Sequence, residues 1–447
     1  MVESLLREAM DEAQIPRGME MAPAGAAPET RTPLVAVVGL GYVGLPTALA
    51  LHRAGTDVIG LDVSPRRLAE IRRRQCDLTP ADHERLRLAL AEPERFRLGG
   101  DEALLSEADA ILICVPTPVD ADRNPDLTAL RAACEDVCRH ARRGQTIVLT
   151  STSYVGTTRD LLSKPLEELG FEPGVDICIA FSPERIDPAN TANPQESVPR
   201  VLGAGNPVCA ARAKAVIEAI APSVHVVSSA EAAEMTKLYE NVFRAVNISL
   251  ANELAEAAGA LGLAPGEIVD AAATKPYGFM PFQPGPGVGG HCIPCDPHYL
   301  LWQMRPLEQP MPLVEGAMDA ISRRPGRVLE RAVELLSEQA GRDLDGARVL
   351  LLGVAYKPGV ADVRESPALT LIDLLRERGA QVEYHDPLVP VLERGGRTLI
   401  TVPDPKVRAY DLVIAHTLHP AADYGFLDGS TPVLDCTYRL SGPKTDL

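Results

Sequence analysis

From Leu34 onward, short apolar runs alternate with stretches of helical periodicity: LVAVVG, DVIGLD, AILICVP, TIVLTST, DICIAFSP and, near residue 224, VHVV. Runs without a polar face suit strands buried on both sides, and their alternation with helices points to βαβ units in a parallel sheet. A second block of the same kind begins at RVLLLG (348–353) and continues through QVEYHD, DLVIAH and PVLD. The expected fold is α/β, with two doubly wound Rossmann-like domains joined by a long central helix. That helix is read over Glu231 to Leu261, which has no proline, one glycine near its end, and many Ala, Leu, Glu and Asn. At 1.5 Å per residue it runs roughly 45 Å, enough to link two domains and carry a subunit interface. Two shorter helices with a break between them are the alternative. A Pro/Gly-rich loop, PYGFMPFQPGPGVGG, fills 276–290, and a shorter helical region follows to about residue 340.

The expected division is a mobile N-terminal extension over 1–32, a dinucleotide-binding domain over 33–230, a central helical domain over 231–340 and a second Rossmann-like domain over 341–447. The extension holds a helix-compatible run, Glu3 to Ala13, and then an Ala/Pro/Gly-rich stretch. A chain of 447 residues, 46% hydrophobic and 23% charged, has enough material for two or three cores. No apolar stretch reaches the roughly 20 residues that span a bilayer, and no basic-then-apolar leader is present, so export is not expected. Nine cysteines, most of them lone and inside apolar runs (Cys114, Cys178, Cys436), read as small buried hydrophobes in a reducing compartment, and the cytoplasm fits. A formal net charge of -17 argues against a general nucleic-acid surface.

In VAVVGLGYVGLPTALAL, Gly39, Gly41 and Gly44 stand in GxGxxG spacing around Tyr42 and Val43, directly after a strand and at the opening of a helix. The first glycine permits a tight turn, the second lets backbone approach a pyrophosphate, and the third allows close helix packing. Asp62 ends the next strand, 18 residues after Gly44, where a carboxylate can accept both ribose hydroxyls and repel a 2'-phosphate. NAD is the expected cofactor. Arg66 and Arg67 behind it either admit NADP or form a solvated helix start. Two later strand ends, around Cys114, Pro116 and Thr117 and at Ser151 and Thr152, carry hydroxyls that either bond ribose, nicotinamide or water, or serve as turn residues.

The stretch GGHCIPCDPH, from Gly289 to His298, is dense in chemistry. A helix starting near Pro294 puts Cys292 at its positive end, favours the thiolate, and turns Asp296 to the same side. The rival is a CxxC metal or dithiol site using Cys295 and His298, for which the sequence offers no second ligand pair. In AEMTKLYENVF, Lys237 and Asn241 share a helical face, either to stabilise a developing alkoxide or as a snorkelling lysine beside a polar neighbour. Glu184, in FSPERIDP, either holds a water or a base or opens a helix.

Taken together, GLGYVGLP, CVPTP, STSYVGTT, FSPER, AEMTKLYEN, PGVGGHCIPCDP and GVAYKPGVADVRESPAL resemble, in order and from about residue 33 to 440, the UDP-glucose/GDP-mannose dehydrogenase family. The resemblance implies NAD-dependent oxidation of a UDP-sugar C6 alcohol to the carboxylate through a thiohemiacetal and a thioester on Cys292, without metal. By motif match, Lys237 and Asn241 stabilise oxygen charge, Asp296 assists base chemistry, and Thr152 with Glu184 positions water. It also implies substrate contacts from Arg185, Gly289, Gly290 and Lys357, and cofactor contacts from Tyr42, Val43, Arg67, Pro116, Thr117, Ser151 and an Arg364 reaching over from the UDP-sugar-binding domain. FSPERIDPANTANPQ and FMPFQPGPGVGGHCIP look most like UDP-N-acetylglucosamine 6-dehydrogenases of polysaccharide pathways. UDP-glucose enzymes usually carry a second glutamate where this chain has Pro188. Cys295 reads as a bystander, and the long helix implies a homodimer.

Overall fold

The computed structural model describes residues 32–186, 195–420, 422–440 and 442–447, so all but the last residue of the expected extension over 1–32, and the position of Pro188, lie outside the described residues. The first sheet is built of β1 (Leu34–Val38), β2 (Asp57–Leu61), β3 (Phe96–Gly99), β4 (Ala110–Ile113), β5 (Thr146–Leu149), β6 (Cys178–Phe181), β7 (Arg200–Ala204) and β8 (Val224–Val227). Their spatial order is β3-β2-β1-β4-β5-β6-β7-β8. The strand order reverses between β1 and β4, the place at whose carboxyl edge ligands of such sheets bind. Central strands such as Ala110–Ile113 and Thr146–Leu149 are buried at every position, which explains runs with no polar alternation. One expectation needs correcting: β7 runs antiparallel to β6, so the sheet is mixed rather than wholly parallel.

The central helix runs unbroken from Ala230 to Ala260, one residue off the sequence boundary, with the Ser229 side chain capping the amide of Ala232. Its buried face is mostly small or polar, and several of its polar groups are hydrogen-bonded. Glu234 accepts from the Gly156 and Thr158 amides, the Ser249 hydroxyl donates to the Ala317 carbonyl, and the Asn252 amide oxygen accepts from Gly285 N. The region expected to be a shorter helical stretch is in fact two helices, Cys292–Met304 and the 29-residue Pro312–Ala340.

A second sheet is formed by β9 (Arg348–Leu352), β10 (Gln381–His385), β13 (Leu412–Ala415), β14 (Val433–Asp435) and β15 (Thr445–Asp446), in the order β10-β9-β13-β14-β15 and parallel throughout. A hairpin of β11 (Val391–Arg394) and β12 (Arg397–Ile400) stands apart from it. The second reversal of strand order lies between β9 and β13. Among the described residues no helix is long and apolar enough to cross a membrane.

Candidate functional site

The glycine turn is dictated by close approach. Gly39 has a positive φ of 86°, and a Cβ on Gly44 would come within 1.8 Å of the Gly39 carbonyl oxygen, so neither position admits a side chain. Gly41 faces open space, with nothing within 4 Å of a Cβ there. The turn is closed where it packs and open where a pyrophosphate would approach. Asp62 braces it: its two carboxylate oxygens accept from Leu40 N at 2.9 Å and Ser64 N at 2.9 Å, and a carboxylate has further lone pairs for ribose hydroxyls. Arg67 donates from Nε to the Leu40 carbonyl at 2.8 Å, which makes it a brace of the same turn, while Arg66 is exposed and pairs with Glu70.

Of the two later strand ends, Pro116 is exposed and Thr117 buried. The Ser151 hydroxyl, expected to face a ligand, donates to the Val115 carbonyl at 2.8 Å and so pins the end of β5 to that of β4. Thr152 is half-buried beside it. The helix Cys292–Met304 is fastened onto both strand ends. Tyr299 Oη donates to the Thr117 carbonyl at 2.6 Å, and the Gln303 side-chain amide exchanges two bonds with the backbone of Val155. These bonds fasten the second half of the helix against the carboxyl edge of the first sheet.

That helix begins at Cys292 itself, two residues ahead of the expected start at Pro294. Cys292 is exposed and the other eight cysteines are buried. The expectation of a favoured thiolate is corrected here. Solvent reaches the residue, yet protein crowding its sulfur and the Asp296 carboxylate push the thiol above its ordinary range, against the pull of Lys237, Arg244 and Arg364. Asp296 is buried, as are Lys237 and Asn241 on the central helix, and Asn241 Nδ2 donates to Asp296 Oδ2. Burial lifts the Asp296 carboxyl to about 6, with the Lys237 charge and the Asn241 bond opposing it. Cys295 lies buried, its sulfur 3.9 Å from His291 Nδ1, and burial with Asp296 pushes its thiol up to about 12.

Glu184 is engaged on both oxygens. One accepts from the amides of Arg185 and Ile186 at 2.7 and 2.9 Å, and the other meets the fully buried Arg200 guanidinium at 2.5 Å. Arg185 reaches Glu240 on the central helix and the Pro199 carbonyl. The FSPER segment is therefore anchored from below and from the side.

The second sheet closes over this arrangement. Arg364, held by Asp362 through paired hydrogen bonds, places its guanidinium 3.9 Å from the ring centroid of Tyr42 in the glycine turn. Its backbone carbonyl accepts from Gly290 N at 2.9 Å. A Cβ on Gly289 would come within 2.6 Å of Tyr356, and one on Gly290 within 2.9 Å of the Tyr356 ring, so both glycines let the cysteine loop lie against the loop after β9. Lys357 is half-buried in that same loop. Sequence reasoning missed Arg200, Arg244, Tyr356 and Asp362. Asp362 sits two residues before Arg364 in DVRES, a spacing from which the pairing could have been suspected.

Models of three successive domains of the UDP-glucose/GDP-mannose dehydrogenase family match the chain: the NAD binding domain over residues 33–221, the central domain over 231–320 and the UDP binding domain over 350–436. The chain is 33% identical to a UDP-N-acetyl-D-glucosamine 6-dehydrogenase of Pseudomonas aeruginosa, over 92% of this chain and 98% of that one. It is also 33% identical to a UDP-N-acetyl-D-mannosamine dehydrogenase of Escherichia coli K12, over 77% and 82%. Among solved structures, a UDP-D-ManNAc dehydrogenase from Pyrococcus horikoshii superposes with a TM-score of 0.83 at 28% identity, over 92% of this chain and 98% of that one. A UDP-glucose dehydrogenase from Pyrobaculum islandicum superposes with 0.78 at 30%, over 94% and 96%.

Proposed function

This chain belongs to the UDP-glucose/GDP-mannose dehydrogenase family and is an NAD-dependent nucleotide-sugar dehydrogenase, and from that premise we propose that it oxidises the C6 hydroxymethyl of UDP-N-acetylglucosamine to the carboxylate through Cys292. The observation that carries this reading is the convergence of one exposed thiol with a buried carboxylate, lysine and asparagine at the start of a helix whose second half is fastened to the carboxyl edge of the first sheet.

Gly39, Gly41, Tyr42, Val43, Gly44, Asp62, Arg67, Pro116, Thr117, Ser151, Thr152 and Arg364 form the cofactor side of the cleft, and the turn that is closed at Gly44 and open at Gly41 fits a pyrophosphate. Bound NAD is the hydride acceptor for both oxidations. Lys237 and Asn241 hold the charge that develops on the sugar oxygen, and Asp296 takes the hydroxyl proton. The Cys292 sulfur adds to the aldehyde carbon as its proton passes to the former carbonyl oxygen, giving a thiohemiacetal. Its oxidation leaves a thioester. Water oriented by Thr152 and the anchored Glu184 adds to the thioester carbonyl, the C–S bond breaks, and the carboxylate leaves with Cys292 free again. Arg185, Gly289, Gly290 and Lys357 line the sugar-nucleotide side. In this reading residues 33–230 bind the cofactor, 231–340 carry the reacting cysteine, and 341–447 bind the UDP moiety, for surface-polysaccharide precursors made in the cytoplasm, where nine unpaired thiols persist.

The gluco acetamido sugar is favoured by the Pseudomonas aeruginosa relative, which is matched over nearly its whole length. UDP-N-acetylmannosamine is the second reading, favoured by the Pyrococcus horikoshii structure at a TM-score of 0.83. A panel of UDP-N-acetylglucosamine, UDP-N-acetylmannosamine, UDP-glucose and GDP-mannose, followed by NADH absorbance, should give the highest kcat/KM with the first. A higher value with any other assigns the substrate to that sugar, and no NADH with any of them overturns the reading.

We also propose a homodimer through the central helix. A surface helix ordinarily turns its apolar side inward. This one has Glu234, Lys237 and Asn241 buried, while Met235, Tyr239, Phe243, Leu250, Leu254 and Leu261 form an exposed apolar stripe at four- and seven-residue spacing. Light scattering should give twice the chain mass, and Leu250→Glu with Leu254→Glu should halve it. A wild-type monomer contradicts the proposal.

A further inference from the structure

We propose that a buried carboxylate–imidazole pair in the second sheet, Asp386 and His419, is a positioning device that clamps the loop after β9 and thereby sets affinity for the sugar nucleotide. The inference deepens the reading above and rests on it in one respect, the assignment of Lys357 to the substrate side.

Asp386 follows β10 and His419 follows β13, so the two flank β9 at the carboxyl edge, where the winding reverses. Asp386 is fully buried, and each of its oxygens accepts two backbone amides. Oδ2 accepts from Val354 N at 2.8 Å and Ala355 N at 3.1 Å, and Oδ1 from Leu388 N at 2.9 Å and Val389 N at 3.2 Å. His419, 3% exposed, lies with Nε2 3.2 Å from Asp386 and Nδ1 3.1 Å from Gly359 N. A backbone amide can only donate, so Nδ1 is the acceptor and the proton of the neutral ring sits on Nε2, pointing at the carboxylate. The result is a relay from Asp386 through the imidazole to the Gly359 amide.

The relay holds both ends of the loop. Val354 and Ala355 are fixed by Asp386 at one end and Gly359 by His419 at the other, and Thr417 Oγ1 donates to the Ala355 carbonyl at 2.7 Å. Tyr356 N donates to the Asp362 carbonyl at 3.0 Å. Between these points the loop carries Tyr356, which packs against Gly289 and Gly290 just before Cys292, and Lys357. A change at His419 is therefore felt first at the substrate lysine and at the wall of the cysteine loop, and reaches the glycine turn of the first sheet only indirectly, through Asp362 and Arg364. Removing one partner of a buried hydrogen bond leaves the other desolvated and unpaired, and a loop released in this way costs binding more than chemistry.

Two substitutions separate the halves of the relay. His419→Gln keeps a donor within reach of Asp386 but loses the acceptor at the Nδ1 position. His419→Asn keeps an acceptor there. Expected for the Gln variant are a KM for the sugar nucleotide raised roughly tenfold, a matching rise in the calorimetric Kd for UDP, kcat within about twofold and an unchanged KM for NAD. The Asn variant should recover most of the loss. The inference is overturned if the Gln variant matches wild type in KM and Kd, if Asn fails to rescue it, or if kcat and both KM values fall away together with Tm. Should the wild-type protein make no NADH, the functional reading fails, and the Kd for UDP in the two variants still decides this one.

Discussion

Cys292→Ala will lower turnover by at least about a thousandfold, whereas Cys295→Ala will leave it within about twofold. The two thiols stand three residues apart on one helix and live in different surroundings. Cys292 is exposed, and although crowding of its sulfur and Asp296 push its thiol above the ordinary range, Lys237, Arg244 and Arg364 pull against that rise. Cys295 is buried, with a thiol pushed up to about 12 by burial and by Asp296. Steady-state NADH formation measures both variants, and an unchanged Tm shows that each is folded. A loss in Cys295→Ala comparable to that in Cys292→Ala would refute the assignment and bring back a dithiol role for the pair.

The second large effect lies at Asp296. Its carboxyl is lifted to about 6, chiefly by burial, so it is a base at neutral pH and an acid below that. The acid limb of kcat/KM is expected to fall with unit slope below about pH 6, and Asp296→Asn to abolish that limb and lower kcat by about a hundredfold to ten-thousandfold. The linkage sign follows from the same shift. A folded pKa near 6 above an ordinary 3.8 means the native state holds the proton more tightly, so this group's contribution to stability is fully present below about pH 4 and is lost as pH rises through about 6. The anion that catalysis requires is thus held at some expense of stability. A pH profile flat to pH 5 in the wild-type protein would show that the carboxyl is not the base.

The strands of both sheets were legible wherever apolar runs are buried on both faces, as in LVAVV and RVLLL. β7 was not, because it opens with Arg200, whose buried partner Glu184 is sixteen residues earlier and has no local signature. The unbroken central helix was legible from composition alone, since 31 residues contain no proline. The candidate site was legible as motifs and illegible as geometry. The stack of Arg364 on Tyr42 joins positions more than three hundred residues apart, and the packing of Tyr356 on Gly289 and Gly290 crosses from one loop to another. Neither contact leaves a periodic trace in the sequence. The helix N-terminus at Cys292 was visible and argued for a thiolate, but the burial and the Asp296 charge that oppose it belong to the assembled fold.

The central claim is that one sulfur holds the half-oxidised sugar between two hydride transfers. It is tested most directly by counting NADH released per UDP-N-acetylglucosamine consumed to exhaustion under excess NAD. The account predicts two NADH and one uronic acid for each sugar nucleotide. One NADH with release of the aldehyde would contradict it.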